Sequence, residues 1–327
     1  MTTPMPVIGA PYISPVTLIT APTGIDWASI PPGDDVTPAQ NAAEWWNMCQ
    51  RATAKADAYC NQVLRATTDT ELLHGPDYRL TVGPGAGGGV AGPYWGQGVY
   101  NARAIMARWP VLSISQVQVS PNAAWPRQWQ TVPAGNYEPE VPPIGIYGSN
   151  VPSGSAFGGQ AVIIAPGWVT RGNGRNGFAV QITYTNGWPH AEIAQNATAG
   201  SVTLVLDDTT GWASTSYSGQ LGATGVVKDS GLQETVHVTA STTTAGPGTV
   251  SLSSPLVYPH EQGTIFTTMP GTIEQACILF CTAEALVRGA TTTTIHDISG
   301  HSQHTGGDVE SLNSEAELLL HPFRRTV

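Results

Sequence analysis

Two stretches of the chain place apolar residues at alternating spacings of three and four, the signature of a helix with one buried face. In the first, Trp45, Cys49, Ala52, Ala56, Tyr59 and Val63 share that face. Thr37, Pro38 and Gln40 precede it as N-cap, first helical residue and capping-box partner, so the pattern predicts a helix from 37 to about 67. After Trp45 the stripe is mostly small side chains, which lets a second helix approach closely. The second stretch is Ile273, Ala276, Cys277, Phe280, Ala283 and Val287, opened by a capping box at Thr272–Gln275 and ended by Gly289. A short third helix is predicted from Ser314 through Leu318, Leu319 and Leu320, stopped by Pro322.

Elsewhere the pattern shortens to alternating, β-branched runs bounded by Gly and Pro, which reads as strand. Between the helices such runs fall at 79–82, 104–107, 111–119 and 178–184. A separate set lies at 201–206, 234–239, 249–252 and 264–267, spaced as in a small sandwich or barrel. Residues 1–36 hold seven prolines and predict an extended arm anchored by Tyr12, Ile25 and Trp27. The expected fold class is therefore α+β: a small helical bundle with a β-rich section, plus an inserted all-β sandwich or barrel-like domain. The expected segments are an arm (1–36), a core (37–194), the inserted domain (195–269), core helices with a polar loop (270–321) and a tail (322–327).

Composition changes this picture in one respect, which is charge. Only 11% of the 327 residues are charged, against about 25% in an ordinary soluble domain, and ten are Trp. A surface with few charges and many aromatic anchors suits a chain that is covered by neighbours in an assembly. Lys and Arg number 13 against 23 acids, a net charge of −10, which argues against adhesive binding of nucleic acid. No specific binding of DNA is expected. No apolar run approaches the roughly 20 residues of a membrane span. The first thirty residues lack the basic start of a signal peptide, so synthesis and folding are expected in the cytoplasm.

A search for chemistry finds candidates but no constellation. Cys49, Cys60, Cys277 and Cys281 lie on the two long helices and read as small buried hydrophobes; their spacing lacks the paired knuckle of a structural zinc site. Asp207, Asp208 and Glu234 could bind calcium, but they lack an EF-hand pattern and read as turn-capping acids. His296, His301 and His304, near Asp297 and Asp308, match no zinc spacing. The glycine-rich run 83–92 is not followed by the Lys and Ser/Thr of a phosphate loop. No catalytic residue, cofactor site or metal site is assigned, and the chain is not expected to be an enzyme.

Three segments together resemble the head-to-tail adaptor (connector) family of long-tailed bacteriophages. They are the helix 45–64; the strand Pro110-Val-Leu-Ser-Ile-Ser-Gln-Val117 with the later Tyr184-Thr-Asn-Gly-Trp188; and the helix 270–288 with the closing Leu318-Leu-Leu-His-Pro-Phe-Arg-Arg325. The stretch 197–269 departs from that pattern and resembles a β module inserted in various phage structural proteins. The resemblance implies a ring, twelve copies of the chain, beneath the portal protein in the virion neck. It would join the capsid to a stopper (head-closure) or tail-terminator protein, with no cofactor and no membrane. Leu320, Pro322, Phe323, Arg324 and Arg325 become the expected portal-binding residues, and Trp45, Cys49, Tyr59, Val63, Ile273, Cys277 and Phe280 the expected ring or helix packing residues. The alternative from another class is a β-rich carbohydrate- or surface-binding module, suggested by the Trp and Thr content.

Overall fold

The computed structural model describes residues 9–30, 37–74, 80–83, 101–120, 126–139, 161–164, 178–213, 222–229, 231–288, 294–296, 302–304 and 309–325. It is an α+β protein. Its helices are α1 (Pro15–Thr20), α2 (Pro38–Cys60), α3 (Gly271–Val287) and α4 (Val309–Leu320). Before the long gap between α2 and α3 closes, the strands run β1 (Thr67–His74), β2 (Leu80–Gly83), β3 (Asn101–Ile105), β4 (Val111–Ser120), β5 (Gln130–Thr131), β6 (Tyr137–Pro139), β7 (Ala161–Ile164) and β8 (Ala179–Asn186). They continue as β9 (His190–Glu192), β10 (Thr203–Leu206), β11 (Thr224–Lys228), β12 (Glu234–Ser241), β13 (Gly248–Leu252) and β14 (Ile265–Thr267). A two-stranded ribbon, β15 (Thr294–His296) with β16 (Ser302–His304), follows α3. The chain divides into two compact units, one of residues 1–64, 189–209 and 224–326, the other of 65–188, 210–223 and Val327.

In the first unit α2 begins as its sequence demands. Thr37 and Gln40 close a reciprocal capping box around Pro38. The helix stops at Cys60, short of the expected residue 67, because Asn61 takes the left-handed conformation (φ 53°) that ends helices. The buried stripe is Met48, Cys49, Ala52, Ala56 and Cys60, while Trp45, Tyr59 and Val63 lie half-buried at its margin. α3 packs against both α2 and α4, so it is buried all round from Ala276 to Ala283, and Val287 instead points to solvent at its end. The expected capping box at Thr272 does not form. The helix starts at Gly271 with Pro270 at the N-cap, which places Thr272 inside the first turn. α4 starts at Val309, so Ser314 is a mid-helix residue rather than a cap.

Residues 9–30 differ from the expected extended arm. Pro15 sits at the start of α1, where its missing N–H is no loss, and Ser14 Oγ caps the turn by accepting from Thr17 N–H. Tyr12, Ile13, Leu18, Ile25, Trp27 and Ile30 are buried. Tyr12 donates its hydroxyl to Asp57 on α2 at 2.5 Å, and Trp45 Nε1 donates to the Trp27 carbonyl at 3.0 Å. The same unit holds a six-stranded antiparallel sheet in the order β10-β13-β12-β11-β14-β9. β9 comes from before the stretch 195–269 and pairs with β14 near that stretch's end. Gly248 on β13 is closely packed: a Cβ there would lie 2.2 Å from Thr243 Oγ1, so that side chain would have to move.

The second unit is built on β8, which pairs antiparallel with β1 and β4 in a sheet of order β1-β8-β4-β5. A second sheet, β2-β3-β7-β6, contributes Ala104, Val162 and Ile164 to the same core as Leu73, Val117, Val119, Val180, Ile182 and Tyr184. Two register shifts in β4 keep Val111, Ile114 and Val117 directed at that core. Thr68 and Thr70 on β1 meet Thr185 and Thr183 on β8 across the outer face, hydroxyl to hydroxyl at 3.3 and 2.9 Å.

Candidate functional site

The closing segment is not a free end. After α4, residues His321–Phe323 form one 3₁₀ turn, made possible by Pro322 at its start. This turn returns the chain to the C-terminal end of α2, where helix carbonyls lack intrahelical donors. Arg325 N–H donates to the Cys60 carbonyl at 2.9 Å. Gln62 Nε2 donates to the Phe323 carbonyl at 2.8 Å, and the Cys60 thiol faces the Leu320 carbonyl at 3.9 Å. The Arg324 guanidinium stands over the Tyr59 ring at 5.5 Å. Leu320 is buried, Phe323 and Arg325 are half-buried, and Pro322 and Arg324 are exposed. Four of the five expected portal-binding residues, Pro322 to Arg325, thus reach the surface, with Arg324 over Tyr59, while Leu320, like Gln62, is interior. Gln62 carried no sequence signal, because its role follows from the αL turn at Asn61.

Of the seven residues expected to pack the ring or the helices, four are buried in this chain, and Trp45, Tyr59 and Val63 are half-buried. Cys49, Ile273, Cys277 and Phe280 are buried between α2, α3 and α4. Lys55 lies 4.4 Å from the centre of the Phe280 ring and donates to Asn313 Oδ1 on α4 at 2.5 Å. The rim of the α2–α3 contact is an ion network in which Arg51 and Arg288 each reach both Glu44 and Glu284. All four cysteines are free and buried. Burial, with the Asp57 charge next, pushes the Cys60 thiol up to about 12. Burial likewise raises Cys277, and the hydrogen bond with Cys49 together with burial raises Cys281, so these three thiols stay protonated.

The acids divide into three separate arrangements. On the second unit, Glu71 accepts from Ala107 N–H with both oxygens and from the Tyr184 hydroxyl, while Asp69 accepts from Arg108 and Asn186. Burial, reinforced by Glu71, raises the Tyr184 phenol far above its ordinary value. On the first unit, Asp207 accepts Glu192 N–H at 2.6 Å and Asp208 accepts Gly246 N–H at 3.1 Å. Glu234 accepts from Val257 and Tyr258 N–H and faces His260. Asp207, Asp208 and Glu234 thus each hold a backbone donor of a turn or strand, the work of capping acids. Among the described residues no group of three or more His, Cys, Asp or Glu is placed to hold a metal ion. No helix among them is long and apolar enough to cross a membrane.

Several expected positions lie outside the described residues. They include His301, Asp297, Asp308 and the side chains of His296 and His304, as well as Trp125, the glycine-rich run 84–92 and residues 326–327. Trp129 is described; it is half-buried with the Arg127 guanidinium 5.9 Å from its ring. No family model, curated protein or solved structure matches the chain.

Proposed function

We propose that this chain is a structural subunit of a bacteriophage virion, a head-to-tail adaptor that rings the underside of the portal and carries the stopper or tail-terminator protein. The observation that carries the reading is the closing surface. Of the segments with the family-like pattern, α2, α3 and Leu318–Arg325 are neighbours within one unit, with Leu320–Arg325 fastened to the end of α2, while the strands at 110–117 and 184–188 belong to the other unit. An apolar side chain beside two guanidinium forks, on a backbone already fixed, has the chemistry of a binding hot spot. In this reading α2, α3 and α4 form a small bundle that makes the wall of a closed ring, twelve copies in the neck of the virion. The stretch 195–269 is an inserted sandwich or barrel-like module, and assembly takes place in the host cytoplasm. The chain has no catalytic role and no cofactor. Its net charge of −10 keeps the ring wall from gripping DNA phosphates as the genome passes.

Two variants of the full chain test the tail. Deleting Phe323–Val327 abolishes portal binding, and Arg324→Glu, at an exposed side chain, weakens it about tenfold while leaving the circular-dichroism melt unchanged. Undiminished binding of Arg324→Glu to purified portal rings contradicts the assignment of this surface.

A further inference from the structure

The connection from β13 to β14 exposes two apolar side chains side by side, Val257 at 66% and Tyr258 at 39%. Folding gains little from either side chain, yet the backbone beneath them is held by several bonds. Glu234, the first residue of β12, accepts Val257 N–H at 2.8 Å and Tyr258 N–H at 3.2 Å. Its Oε1 also faces His260 Nε2 at 2.7 Å, and Asp229 Oδ2 lies 3.2 Å from Nδ1 of the same ring. The His260 side chain is fully buried, and its backbone exchanges two hydrogen bonds of 2.8 and 2.9 Å with Ala197. Leu256, just before the pair, is buried and exchanges bonds with Ser201 and Gly200.

The direction of these bonds decides what the loop offers. With both N–H groups turned inward to one carboxylate, the Val257 and Tyr258 side chains are left facing solvent on a fixed backbone. Gathering two carboxylates and an imidazole is a poor way to gain stability, because each must be desolvated. What the cluster does provide is pre-organisation, which removes part of the ordering cost of binding. Tyrosine adds large contact area with few rotatable bonds. Within the loop the exposed charge is acidic, Glu261, while Asp229 and Glu234 are mostly covered and face His260. A second copy, with 13 basic residues against 23 acidic ones, is a poorer electrostatic match than a basic partner.

We infer that Val257 and Tyr258 form a recognition knob, and that it enters an apolar cleft rimmed by Lys or Arg on another protein. The inference rests on the loop's own geometry and does not need the adaptor reading. It is tested in the full-length chain with Val257 replaced by the photo-crosslinker p-benzoylphenylalanine, irradiated in the cells that make it. The control carries the same group at Val287, which is 70% exposed on α3. A discrete product is expected from position 257 alone, with the crosslinked peptide, sequenced by mass spectrometry, holding apolar residues beside Lys or Arg. Its yield should fall about tenfold with Tyr258→Ala, and also with Glu261→Lys, both at exposed side chains. It should fall again in about 0.5 M salt, where screening acts over roughly 4 Å. No product, the same products at both positions, a dimer of the chain, a glycan or lipid adduct, or a salt-insensitive product each overturns the inference. Portal binding, measured separately, fails or succeeds independently of this result.

Discussion

Glu71 and Glu192 are both strand carboxylates drawn into the interior of their units, and the two surroundings treat them in opposite ways. Glu71 is met by the Ala107 N–H on both oxygens and by the Tyr184 hydroxyl, next to a second acid, Asp69, paired with Arg108. Glu192 has Oε1 buried with no hydrogen-bond partner among the described residues, and its neighbour Asp207 spends an oxygen on the Glu192 backbone instead. Burial, with the Asp207 charge second, pushes Glu192 up to about 7. The comparison shows that satisfied donors, more than depth, decide whether an interior acid supports a fold or taxes it.

Substitutions at the two sites sharpen this contrast. The largest effect is expected at Tyr184, which is fully buried in the core of its unit. Tyr184→Ala should cost about 3–5 kcal/mol by denaturant titration, since it removes a large core side chain as well as the donor to Glu71. Tyr184→Phe keeps the ring and isolates the hydrogen bond, at about 1–3 kcal/mol. Glu71→Ala, which strands the Ala107 N–H, should fall in the same range of about 1–3 kcal/mol. A negligible cost for both would break the account of Glu71 as a supporting group.

At Glu192 the sign reverses. A carboxyl whose folded value is about 7, above its ordinary 4.5, favours folding most when protonated. Stability should therefore decline as pH rises from the ordinary carboxylate range to about 7, then level off. Glu192→Gln, which keeps the shape without the charge, should flatten that slope and stabilise the protein at pH near 8. The gain is on the order of 1–2 kcal/mol, allowing for water at the second oxygen. Thermal melts of both proteins across pH would show it, and parallel profiles would contradict it. The smallest effect belongs to Glu284→Gln. It removes two rim ion pairs of the α2–α3 contact, with Arg51 and Arg288, changes stability by less than about 1 kcal/mol and loses even that in high salt.

Local patterns were legible where one physical cause acted alone. Thr37, Pro38 and Gln40 announced the start of α2 because capping chemistry is contiguous in sequence. The strands at 111–120 and 179–186 were evident from their β-branched alternation. Legibility failed where tertiary context took over. α3 was legible as a helix, but the extent of its burial was not: helices cover it on more than one side, so Ile278, Leu279 and Cys281 are buried along with the expected stripe. β11, Thr-Gly-Val-Val-Lys, is too short to announce itself and exists through its pairing with β12 and β14. Proline misled at residues 9–30, where Pro15 starts a helix instead of forbidding one. At the closing surface, Phe323, Arg324 and Arg325 were visible as chemistry, but their seat on Tyr59 and Gln62 depends on a contact across more than 260 residues.

The adaptor reading is tested most directly by electron microscopy of the purified full-length chain, alone and mixed with portal rings from the same phage. The account predicts a closed ring, twelve-fold, seated on one end of the portal with Leu320–Arg325 and Tyr59 at the seam, and lower occupancy of that density with Arg324→Glu. A chain that stays monomeric and leaves the portal bare, or one that docks through a surface far from the end of α2, would contradict it.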